Sequence, residues 1–99
     1  MGSASRFQGK VRYFRPDLKR GLAVIDIPTT VATGLGGLKQ MRVRGKLNGV
    51  DFNSNTMPAG GGVLALSVSQ KLLSAAGLKV GDETDVELQP PRIVNAMSV

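Results

Sequence analysis

Arg42, Arg44 and Lys46 sit at alternate positions of the run Met41 to Leu47, and Lys10 and Arg12 do the same between Phe7 and Phe14. In extended chain, alternate residues share one face, so each run projects a row of cations. If the two strands are neighbours, the rows merge into a positive stripe about 10–15 Å long, at roughly 3.3 Å per residue. Such a stripe could follow a phosphate backbone, with Tyr13 or Phe14 stacking on a base. Lys10, Arg12, Arg42, Arg44 and Lys46 are therefore the candidate nucleic-acid-binding residues.

Other chemistry is poorly provided for. The chain has no Cys and no His, which removes thiolate chemistry, disulfides, and the commonest general base and metal ligand. Gly34-Leu35-Gly36-Gly37 misses the dinucleotide fingerprint, because Lys39 stands at the third glycine's place, and no Gly-Lys-Ser/Thr follows. It reads as a joint after a helix. Gly60, Gly61 and Gly62 are candidate ligand-loop residues, since bare backbone N–H groups can meet an anion. They equally suit a tight connection into a strand. Asp82, Glu83, Asp85 and Glu87 lack calcium-loop spacing and read as a solvated edge strand. Ser67 and Lys71 are the nearest Ser–Lys pair, but they straddle a strand-to-helix junction. Asp26 is the one acid expected on an inner surface. No metal, no cofactor and no catalytic residue is expected.

Ninety-nine residues make one domain, and 41% apolar content allows a single, mainly aliphatic core. Thirteen Lys and Arg against seven Asp and Glu give a net charge of +6. Ten of those cations lie before residue 50, while the acids gather near the end. This asymmetry has two readings: an anionic partner, or two halves that face each other with complementary charge. The N-terminus lacks a secretory pattern and no apolar run could span a bilayer, so a cytoplasmic protein without a membrane is expected.

The elements that must position these residues recur as a repeat. Ile25 to Val31 leads through glycines to Met41-Arg42-Val43-Arg44-Gly45. About forty residues on, Leu66 to Leu72 leads through Gly77 and Gly81 to Thr84 to Leu88. Each copy reads strand, short helix, glycine, strand. The first helix is expected over Pro28 to Thr33 with Gly34 ending it, and the second over Gln70 to Ala76 with Ser69 as N-cap and Gly77 at its end. Strands are expected over Phe7 to Phe14, Gly21 to Ile27, Met41 to Leu47, Val50 to Asn55, Val63 to Val68 and Thr84 to Leu88. Pro16-Asp17 marks a turn, Asn48-Gly49 a type I′ hairpin, Met57 to Gly62 a loop, and Pro90-Pro91 a stop. The sum is a mainly β fold: a small barrel of about six strands with two short capping helices and a pseudo-twofold repeat. Its domain spans residues 7–94, after a disordered segment 1–6 and before a tail 95–99.

Three motifs carry a family resemblance: Val43 to Phe52, Met57 to Gly62, and Gly77 to Asp82. They are similar to the patterns V-x-G-x-I-N-G-x-x-F, M-P-x-G-x-G and G-x-x-x-G-D-x-V-x-V of domain-of-unknown-function family 1905. The resemblance implies a double-split β-barrel with helix-capped ends and distant kinship with the AbrB and MazE type of DNA-binding dimers. It implies no biochemical activity. Many members continue into a helical domain named for bacteriocin protection, and Pro91 to Val94 look like the start of that junction. Because one chain supplies both halves, a monomer is expected. The reading is a small non-enzymatic binding or structural module whose partner, nucleic acid or protein, the sequence does not name; the alternative is weak, sequence-tolerant nucleic-acid binding through the basic strand face.

Overall fold

The computed structural model describes residues 5–15, 17 and 21–89. The elements are β1 (Ser5–Tyr13), β2 (Ala23–Ile27), α1 (Thr29–Leu35), β3 (Met41–Leu47), β4 (Val50–Gly60), β5 (Val63–Val68), α2 (Gln70–Ala76) and β6 (Glu83–Gln89). The strands close in the order β1-β2-β5-β4-β3-β6, every neighbouring pair antiparallel, with β6 returning to β1. Closure leaves no edge to protect. The interior is aliphatic, with Val11, Ile25, Leu47, Leu64, Leu66, Val68, Leu73, Val86 and Leu88 fully buried. Among the described residues, no helix is long and apolar enough to cross a membrane.

The repeat is visible in the pairing. β2 and β5 pair with Ile25 opposite Leu66, and β3 and β6 with Lys46 opposite Glu87. Both pairs lie 41 residues apart in the chain. The flanking partners are reciprocal, Ala23 with Val68 and Ile27 with Leu64. The helices and their cap glycines, Gly36 and Gly77, keep the same offset. A pseudo-twofold axis therefore passes between β2 and β5 and between β3 and β6. It also relates β1 to β4: Phe7 faces Val86 as Phe52 faces Gly45. The stretch from Val11 to Ile25 is four residues longer than its equivalent from Thr56 to Leu66, so the repeats differ chiefly at the β1–β2 connection.

Local signals decide most boundaries. Asn48 (φ 50°) and Gly49 (φ 84°) form the two-residue β3–β4 turn, whose twist needs both residues at positive φ. At α2, the Ser69 hydroxyl accepts from the Leu72 N–H at 3.0 Å, and Gly77 takes the left-handed conformation at φ 71°. Leu78 N–H then bonds the Leu73 carbonyl at 2.8 Å and its side chain packs on the core. Ser69→Ala should cost about 1 kcal/mol, read as a lower urea midpoint with an unchanged slope.

Several boundaries differ from expectation. β1 begins at Ser5, so Ser5 and Arg6 pair with Leu88 and Glu87 rather than belonging to a disordered segment. Residues 1–4, the tail 95–99, the junction after Gln89, Pro90-Pro91 and Pro16 of the first turn lie outside the described residues. Pro28 is the N-cap of α1, and Gly34 lies inside the helix; Gly36, at φ 126°, ends it. Met57 to Gly60 continue β4 instead of forming a loop. A register shift between Pro58 and Gly60 absorbs the missing proline N–H, leaving only Gly61 and Gly62 as the turn.

Candidate binding face on the barrel wall

The two basic rows are not neighbours. β6 lies between β1 and β3, paired to both. Its outward residues are Glu83, Asp85, Glu87 and Gln89, so an acidic strand divides the expected stripe. The acids consequently do not form an edge strand; they are the partners of the cations. Across the wall, Arg6 on β1, Glu87 on β6, Lys46 on β3 and Asp51 on β4 form one row of alternating sign. Arg6 Nε lies 3.1 Å from Glu87 Oε1, and Lys46 Nζ lies 3.5 Å from Asp51 Oδ1. Lys10 stands opposite Glu83, and Gln8 donates to Asp85. Exposed pairs of this kind contribute at most about 1 kcal/mol each, so their main effect is on the surface field.

Arg12 is turned to a different partner. Its Nη2 and Nε reach the Asp26 carboxylate at 2.8 and 3.0 Å. Hydrogen bonding to Asp26 raises the guanidinium's pKa above its ordinary value, with slight burial acting the other way. Asp26 faces outward and is about half exposed, not an inner acid. Tyr13 and Phe14 lie at the end of β1, on the far side of β6 from β3.

Gly60 ends β4 and Gly61 and Gly62 make the turn into β5; all three are at positive φ, and a side chain added at any of them would meet nothing within 4 Å. Conformation alone requires glycine there. Ser67 is half-buried in β5 and Lys71 is exposed on α2. Among the described residues, no group of three His, Cys, Asp or Glu could hold a metal ion.

Two hollows indent the wall. One, of about 440 Å³, is lined by Arg6, Phe7, Gln8, Lys46, Asp85 and Glu87, among others. The second, of about 340 Å³, is lined by Arg44, Gly45, Asp51, Phe52, Asn53 and Gln89. The pseudo-twofold axis exchanges them: Phe7 corresponds to Phe52, Gln8 to Asn53, Arg6 to Asp51, and Asp85 to Arg44. The lining positions are repeated while their charges are inverted. The first hollow balances two cations with two acids. In the second, Asp51 is held by Lys46, and Arg44 Nε donates to the Gln89 amide oxygen at 3.2 Å. Arg44 has no carboxylate partner among the described residues. Next to it on β3, Arg42 faces Asn55, as Arg44 faces Asn53. What remains of the basic stripe is thus two arginine–asparagine rungs.

A family model matches residues 7–88, from β1 to β6. The chain belongs to the family described as Domain of unknown function (DUF1905). The matched span of this DUF1905 domain contains every residue of both hollows except Arg6 and Gln89. No curated protein matches the chain. The asparagines of the face escaped the sequence reading, because Asn53 and Asn55 carry no charge and gain meaning only opposite Arg44 and Arg42.

Proposed function

We propose that this DUF1905 domain is a non-enzymatic binding module whose recognition surface is the outer face of β3 and β4. The observation that carries it is the position of β6. With Glu83, Asp85 and Glu87 set between the basic strands, the two cation rows are interrupted, and Arg42 and Arg44 are the β3 cations left without a carboxylate partner among the described residues. That residue of charge, beside neutral amides, suits docking of a discrete group more than tracking of a phosphate chain. The non-enzymatic reading is supported by the lack of His and Cys, and by wall hollows whose acids already have hydrogen-bonding or ionic partners. Barrel closure within one chain supports a monomer.

Fluorescence anisotropy of labelled single- and double-stranded DNA and RNA, at two salt concentrations, tests this reading. The expected result is no saturable binding in the micromolar range. Micromolar binding with a steep salt slope, lost when Arg42, Arg44 and Lys46 become Glu, would replace it with nucleic-acid binding.

A further inference from the structure

We propose that the β3–β4 face binds an extended acidic polypeptide segment carrying carboxylates at alternate positions. This rests on the reading of that face as the recognition surface. Arg42 and Arg44 are both exposed and two residues apart on one strand face, so their guanidinium groups leave the wall about 6.6 Å apart. Acidic side chains at alternate positions of an extended segment have the same spacing. Each arginine stands opposite an asparagine of β4, Arg42 with Asn55 and Arg44 with Asn53. A rung therefore offers a planar guanidinium for a carboxylate and an amide for the adjoining peptide group. Gln89 receives Arg44 Nε at 3.2 Å, which holds the guanidinium of a residue that lines the hollow. The hollow of about 340 Å³ beside Arg44 has ample room for an acidic side chain.

The same face discriminates by what surrounds it. Asp51, two residues from Asn53, and Glu87, two residues from Gln89, bound the rungs on one side, so an anionic chain of either kind must keep its charges on Arg42 and Arg44. No aromatic ring stands on the face to stack a base, since Phe52 is buried and Tyr13 and Phe14 lie beyond β6. The pseudo-equivalent hollow is an internal control. It is built from equivalent positions but places Asp85 where Arg44 stands, and its charges cancel.

The test is amide chemical-shift mapping on the ¹⁵N-labelled full chain. The probes are an alternating Glu-Ala peptide, an alternating Gln-Ala peptide, a Glu-Glu-Ala-Ala repeat of equal charge, and oligodeoxythymidylate. The expected result is saturable perturbation of β3 and β4 by the Glu-Ala peptide, and affinity at least about tenfold weaker in R42Q/R44Q, from loss of two charge-assisted contacts. The equal-charge repeat should bind more weakly, and the Gln-Ala peptide should give no response. Equal binding of the two acidic peptides would overturn the spacing argument. Response of β3 and β4 to the oligonucleotide alone would overturn the acidic-peptide inference while keeping the face as a binding surface. Perturbation elsewhere, or none with any probe, would overturn both.

Discussion

Replacing Gly45 with alanine is expected to destabilise the barrel by about 3 kcal/mol or more, enough to unfold a large share of a marginally stable domain. Gly45 is buried in β3, between Phe52 of β4 and Leu88 of β6. A β-carbon built there would collide with the Glu87 carbonyl oxygen, and would press on the Glu87 carbonyl carbon and the Leu88 Cα. All three are backbone atoms of the strand that closes the barrel. No rotamer change relieves the clash; β6 itself must move, along with its pairing to β1. Gly9 gives the comparison. A methyl there would meet Cγ2 of the buried Ile25, a side-chain atom rather than strand backbone, so Gly9→Ala should cost less, about 1–3 kcal/mol. Urea denaturation of both variants checks this. Gly45→Ala within about 0.5 kcal/mol of the parent would mean that β3 and β6 are not held at this approach.

The second large effect is expected at the centre of the repeat. Leu66 lies opposite Ile25, where the pseudo-twofold axis crosses β2 and β5, and both side chains are fully buried. Removing a side chain there empties space in the buried core between the two halves. Leu66→Ala should lose about 2–5 kcal/mol. Leu38, about half exposed outside any strand or helix, is the contrasting site, and Leu38→Ala should stay within about 0.5 kcal/mol of the parent. Similar midpoints for the two variants would place the core elsewhere.

The fold was legible wherever the signal was local. Alternation from Met41 to Leu47, the Asn48-Gly49 turn, and the Ser69 and Gly77 caps each name their own structure within a few residues. The repeat was legible too, because strand, helix and glycine recur at a nearly constant offset. Strand order was not. Nothing in the periodicity of β6 says that it pairs with β1 and β3 together, and this non-local fact decides the candidate site. The charge inversion hid it further. Arg42, Arg44 and Lys46 have Glu83, Asp85 and Glu87 as their equivalents, so the repeats look least alike on their outer faces, where they meet. Residue content misled at Met57 to Gly60, where a proline and a glycine suggested a loop. A bulge accommodates both within β4. Gly34 misled in a similar way: helix α1 tolerates it, and only Gly36 adopts the positive φ that ends the helix.

On the function proposed above, the acids of β6 keep the basic strands from acting as one nucleic-acid surface. This is tested most directly by oligonucleotide anisotropy on the parent chain beside a variant with Glu83, Asp85 and Glu87 all changed to Gln. These side chains project outward, so the barrel should fold in both. The account predicts no micromolar binding by the parent, and binding with a steep salt slope by the variant, whose β1 and β3 cations then form a continuous field. Tight, salt-sensitive binding by the parent, or no gain in the variant, would contradict it.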